Sequence, residues 1–117
     1  MTLTLEMITV DCTDPQRLAA WWAEAVGGSA VDLPGGNFVV VARENWPGLG
    51  FQRVDAPTPG KNRVHLDMMA DDLDAEVDRL IGLGATETSR HSFSPGFRWV
   101  VLADPDGNAF CVAALRP

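Results

Sequence analysis

Apolar and polar positions follow the same plan twice along this chain. In residues 5–28, LEMITVDCTDPQRLAAWWAEAVGG, an alternating stretch runs through an aspartate into apolar residues at helical spacing and stops at two glycines. In residues 61–85, KNRVHLDMMADDLDAEVDRLIGLGA, the order returns: strand, acidic helix start, amphipathic helix, glycine. A shift of 58 positions lays Met7 on His65, Val10 on Met68 and Asp14 on Asp72. Repetition at such a period signals a duplicated structural unit.

The first strand is predicted over residues 3–12, with Met7, Thr9 and Asp11 on one face and Ile8, Val10 and Cys12 on the other. Asp14 before Pro15 opens a helix, since a carboxylate caps free N–H groups and proline suits the first turn. Leu18, Trp21, Trp22, Ala25 and Val26 form its apolar side, at least one tryptophan being core, and Gly27-Gly28 stops it. Three short strands follow over 30–33, 37–43 and 49–54, separated by turns at Pro34-Gly35-Gly36 and residues 45–48.

The stretch DAPTPGKN, residues 55–62, resists both helix and strand and reads as a linker. It divides one domain, 1–117, into module one (1–55), a linker (56–61) and module two (62–117). In module two a strand is predicted over 63–69, and Asp71-Asp72 caps a helix with Leu73, Val77, Leu80 and Ile81 as its apolar stripe. Gly84 ends that helix. A weak strand over 85–90, a polar loop over 91–96, a strong strand over 97–103, the turn Asp104-Pro105-Asp106-Gly107-Asn108 and a last strand over 109–115 complete it. The fold class is therefore α+β: two βαβββ modules forming a curved, partly closed sheet, with helices on the convex face and a cleft on the concave one.

Composition narrows the function. A length of 117 residues suffices for one real core. The net charge of −7 argues against nucleic acid or an anionic membrane as partner, because both demand clustered Lys and Arg. The N-terminal stretch has neither a basic region nor a long apolar run, so no signal peptide or membrane span is read and a cytoplasmic location is expected. Cys12 and Cys111 lie far apart without a CxxC pair, which fits buried thiols in a reducing compartment. Ser92 and Ser94 beside His91 lack a nucleophile elbow. The turns at Pro34-Gly35-Gly36 and Pro59-Gly60-Lys61 lack the spacing of a phosphate-binding loop.

Three stretches in order, VDCTDPQRLAAWWAEAVGG, RVHLDMMADDLDAEVDRLIGLGA and VVLADPDGNAFCVA, resemble the vicinal oxygen chelate superfamily, which holds glyoxalase I, bleomycin-resistance proteins and extradiol dioxygenases. The resemblance covers nearly the whole chain. Trp21-Trp22 stands where that family has an aromatic pair, and DPDGN looks like its DPxGN final hairpin. The resemblance implies the fold described above more specifically than any activity, since its members range from isomerases, dioxygenases and lyases to non-catalytic drug binders.

It also implies a metal site drawing one ligand from the first and last strand of each unit. By position these are Met7, Gln52, His65 and Cys111, where metal-binding members usually carry His, Glu and Gln. Lewis-acid chemistry on a divalent ion favours imidazole and carboxylate ligands, whereas methionine and cysteine are soft donors. No family-type metal is therefore expected at these four degenerate positions; a divalent metal is the alternative.

Strand parity sets Asp67 beside His65, and Thr9 and Asp11 beside Met7. Charges on an inward face are costly unless paired or wet, so a solvated pocket is expected, in which His65 and Asp67 are the candidate catalytic pair for proton transfer. Alternatively, Asp11 and Asp67 pair with Arg63 or Arg98 and His65 is structural. The candidate ligand-binding residues are Met7, Asp11, Gln52, His65, Asp67, Trp99 and Cys111. Phe38, Trp46, Phe51 and Phe97 supply aromatic walls or core.

Two readings result. One is a small-molecule-binding protein of the bleomycin-resistance type, with no nucleic-acid or membrane partner. The other is a glyoxalase-like lyase, isomerase or dioxygenase that uses an unusual metal or acid–base chemistry at His65 and Asp67. Each unit leaves an open sheet edge, a hazard that pairing removes, and the resemblance implies a homodimer.

Overall fold

Two aspartates set the two helices. Asp14 accepts the Arg17 N–H at 3.2 Å where helix α1 (Pro15–Val26) begins, and Asp72 accepts the Ala75 N–H at 3.1 Å where helix α2 (Leu73–Gly82) begins. Each carboxylate satisfies one of the donors that a helix start leaves without an intrahelical partner. Gly27 closes α1 in the left-handed conformation, φ 70°, that costs a glycine least. The computed structural model describes residues 5–93 and 96–114.

The chain forms two compact units, Met1–Thr58 and Pro59–Pro117, built to the same plan. In the first, β1 (Met7–Cys12) leads into α1, followed by β2 (Ser29–Asp32), β3 (Phe38–Ala42) and β4 (Gly48–Arg53). In the second, β5 (Leu66–Ala70) leads into α2, followed by β6 (Thr86–Phe93), β7 (Phe97–Ala103) and β8 (Ala109–Ala114). The sheets run β1-β4-β3-β2 and β5-β8-β7-β6. In each, the first and last strands of the unit pair in parallel and the other neighbours pair antiparallel. Neither sheet closes into a barrel.

Each helix packs on one face of its own sheet. Leu18, Ala19 and Trp22 of α1 are buried together with Cys12, Val39, Val41, Leu49 and Phe51. Leu73, Val77 and Leu80 of α2 are buried with Ala70, Val100, Leu102, Phe110 and Val112. Of the two adjacent tryptophans, Trp22 is core and Trp21 is half-buried, its ring edge-on to Trp22 at 5.1 Å. Because strand side chains alternate, the second face of each sheet carries a separate set of residues.

Several boundaries differ from those the sequence predicts. The described part of the first strand starts at Met7; Leu3 and Thr4 lie outside the described residues. The fifth strand starts at Leu66 rather than residue 63 because Asn62 ties the approach down. Its amide donates to the carbonyls of Val64 and Ala109, and its oxygen accepts the Ala109 N–H at 2.7 Å. Ile81 is 43% exposed, so it stands off the α2 stripe, which is Leu73, Val77 and Leu80. The predicted polar loop 91–96 is strand as far as Phe93, held by pairing along β7. Ser94 and Leu115 lie outside the described residues. The Asp104 turn forms as expected: its buried carboxylate accepts the N–H groups of Asp106 and Asn108, both at 2.9 Å, and the Asn108 amide.

Candidate functional site

On the first sheet, the face away from α1 carries Met7, Thr9 and Asp11 from β1, Gly50 and Gln52 from β4, and Phe38 from β3. A Cβ placed on Gly50 would lie 2.7 Å from Phe38 Cζ, 2.8 Å from Met7 Sδ and 2.9 Å from Thr9 Oγ1. Three side chains therefore close over a position that only glycine fills. Asp11 and Gln52 are ladder partners two residues further along, both exposed.

The ladders revise one positional equivalence. Thr9 pairs with Gly50 in the first unit, and Asp67 pairs with Cys111 in the second. Since the shift of 58 equates Thr9 with Asp67, the counterpart of Cys111 is Gly50 and not Gln52. Laying Phe51 on Phe110 in the sequence leads to Gln52 instead, because strand alternation looks the same after a slip of two residues. The position thus carries no side chain at all, and Met7 is a packing group over a glycine. A family-type set with a ligand from each of four strands does not fit these residues.

The second sheet is different. Its face away from α2 brings His65, Asp67 and Cys111 together, with one potential ligand atom from each lying within 4.8 Å of the others. His65 Nε2 is 3.4 Å from Asp67 Oδ1, and both side chains are well exposed. The parallel ladder places Asp67 directly opposite Cys111, and His65 stands two residues before it on the same face. Burial pushes the Cys111 thiol above its ordinary range; the neighbouring charge of Asp67 and a thiol hydrogen bond to that carboxylate push it further, and Lys61 opposes them weakly. Cys111 is therefore a protonated thiol near neutral pH, a hydrogen-bond donor and a poor nucleophile.

The same face continues across β8 to β7 and β6, because Cys111 pairs with Val101 and Ala113 with Trp99. There His91 stacks on Trp99, centroids 5.1 Å apart and planes 21° from parallel, and the Phe97 ring lies tilted beside the indole at 5.7 Å. Ser89 Oγ lies 2.8 Å from His91 Nε2 and fixes the imidazole within its stack. This edge is a ledge of flat rings with a polar group beside it. Met69, 53% exposed, is the apolar residue on the outer strand of the same face.

His91 falls outside the strand predicted over 85–90 because TETSRHSF carries no apolar period. Extending that strand to residue 93 sets Ser89 and His91 on one face. Of the other aromatic candidates, Phe51 is core, and Trp46 lies under the Arg43 guanidinium at 5.2 Å in a turn. Arg98 does not reach Asp67. It lies on the helix side, where it and Arg90 meet Asp74 at 3.6 and 3.3 Å.

Residues 7–113 match the family model described as a glyoxalase-like domain. No curated protein is similar enough to count as a relative. Among solved structures, the chain is similar to a glyoxalase/bleomycin resistance protein/dioxygenase family enzyme from Burkholderia phytofirmans PsJN, with TM-score 0.83, 18% identity, and 97% of this chain and 100% of that one covered. It is also similar to lactoylglutathione lyase from Agrobacterium tumefaciens, with TM-score 0.71, 19% identity, and 97% and 95% covered. A third is TnmS3, an antibiotic-binding protein from Streptomyces sp. CB03234, with TM-score 0.69, 23% identity, and 98% of both chains covered. At these identities the likeness is one of fold. No helix among the described residues is long and apolar enough to cross a membrane.

Proposed function

The chain belongs to the glyoxalase-like domain family, and from that premise we propose that it binds a small aromatic ligand without a family-type metal site. The observation that carries this reading is the composition of one sheet face: a stacked His91–Trp99 ledge at one side and the polar group His65, Asp67 and Cys111 at the other. A flat ring laid on the ledge gains stacking and apolar burial, while the polar group orients its substituents. Gly50 supports the metal-free part of the reading, because the first unit offers no donor at that position. That TnmS3 is an antibiotic-binding protein makes planar antibiotics the first ligands to try.

Thermal-shift titration with a panel of planar aromatic antibiotics tests the proposal. At least one compound should raise the melting temperature. Trp99→Leu should weaken it by about tenfold, the loss of one stacking contact. His65→Ala should weaken binding too, while the unliganded melting temperature stays put, since the imidazole is 45% exposed and adds little packing. Wild-type affinity in both variants would sink the reading.

The contact between His65 and Asp67 favours a second reading, acid–base catalysis on the same ligand. Chromatography of the ligand after prolonged incubation separates the two: binding returns it unchanged, and catalysis does not. Cys12 and Cys111, which are not joined in a disulfide, support a reducing, cytoplasmic setting. We also propose a homodimer, on the ground that β1 and β2, like β5 and β6, are edge strands of open sheets. Light scattering at micromolar concentration should give twice the chain mass of 12.6 kDa; a monomer mass would refute it.

A further inference from the structure

We infer that Ser89 and His91 form a nucleophile–base pair that takes an acyl group from an aryl ester. This goes beyond the ligand reading, which uses the rings of the ledge but involves no reaction. Ser89 Oγ and His91 Nε2 lie 2.8 Å apart, within the reach that activation of a serine by a neighbouring base requires. A third group holds the base: the imidazole stacks on the Trp99 indole, which fixes its plane. The ladder is irregular between Glu87 and Ser89, and irregularities of that kind re-aim side chains. His91 is exposed and Ser89 half-buried, so both are open to a reagent from solvent.

Ser89 Oγ attacks the ester carbonyl as its proton passes to Nε2, in the imidazole tautomer that carries hydrogen on Nδ1. The tetrahedral intermediate collapses by breaking its bond to the aryl oxygen, and the imidazolium returns the proton to the departing phenoxide. The products are O-acyl Ser89 and a free phenol; water later releases the acid and restores the hydroxyl. β6 has one strand neighbour among the described residues, β7, so its outer edge offers backbone N–H groups to the developing oxyanion. An edge is a weaker oxyanion site than a dedicated pocket, which restricts the reaction to esters with a good leaving group. The Trp99 and Phe97 rings beside the pair favour an aromatic one. Cys111 competes poorly, because burial and the Asp67 charge hold its thiol protonated. Ser92 provides an internal contrast: it pairs with Arg98 and so lies on the α2 side, away from His91.

The full chain is incubated with para-nitrophenyl acetate, nitrophenol release is followed by absorbance, and the acetylated positions are found by peptide mass mapping. A burst of one equivalent of nitrophenol should accompany acetylation of Ser89, well ahead of Ser92 on the same strand. Ser89→Ala should abolish the burst. His91→Phe keeps a ring on Trp99 but removes the proton acceptor, and should slow the burst by about a hundredfold or more, the low end of a general base's contribution. Ser92→Ala should leave it unchanged. Equal labelling of Ser89 and Ser92, labelling of Lys61 or Cys111 ahead of Ser89, or an undiminished rate in His91→Phe would each overturn the inference. The first two comparisons use the wild-type chain and so stand whether or not a variant folds. Failure of acylation leaves the thermal shifts given by planar ligands untouched, and the reverse holds as well, so the two proposals fail separately.

Discussion

Phe110→Ala is expected to lower stability by about 3–5 kcal/mol, the range for truncating a buried aromatic side chain. Phe110 is 2% exposed and sits between Leu66 of β5 and Leu102 of β7 in the ladders on either side. Leu102 is fully buried, and Val77 and Leu80 of α2 complete the layer. Neither neighbouring strand can collapse into the space without breaking its own register, so most of the cavity should persist. Domains of this size have only about 5–15 kcal/mol to lose. The strand that presents Cys111 should then loosen with the core, and ligand binding should fall along with the urea midpoint. A midpoint change equivalent to under about 1 kcal/mol would mean that β8 is not anchored as described.

The second large effect is expected at Gly50. Gly50→Glu restores a carboxylate at the position equivalent to Cys111, yet it should destabilise the protein without creating a metal site. Even the Cβ would come within 2.9 Å of three side chains. The Met7 thioether can swing aside, but the Phe38 ring and the stiff, β-branched Thr9 cannot do so as freely. Overpacking of this kind costs about 1–3 kcal/mol, and a charged group entering an apolar contact adds to it. Gly50→Ala should show most of the packing penalty alone, and adding Met7→Ala should recover part of it. Thermal melts of the three variants check the order. If Gly50→Ala melts with the wild type, the first unit is not closed over that position.

Much of the fold was legible in the sequence because local chemistry and periodicity agreed. Asp14 and Asp72 cap the helices they were expected to cap, Gly27 ends the first, and β7 occupies residues 97–103 as predicted. The candidate site was legible only in part. Parity alone set His65 beside Asp67, but the approach of Cys111 depends on parallel pairing between strands more than forty residues apart. The identity of the fourth family position depended on the same kind of ladder, which is why Gln52 was named where Gly50 stands. His91 was misplaced for another reason. Its strand has almost no apolar residues, and its extended state comes from pairing with β7, a tertiary effect that outweighs local preference.

The most direct measurement is a two-dimensional NMR titration of isotope-labelled protein with the aromatic compound that gives the largest thermal shift. Binding on the face of the second sheet away from α2 predicts that the Trp99 indole N–H, the His91 ring and the backbone amides of Asp67 and Cys111 move together and saturate at one midpoint. Shifts confined to α2 or to the first unit, or none at saturating ligand, would contradict it.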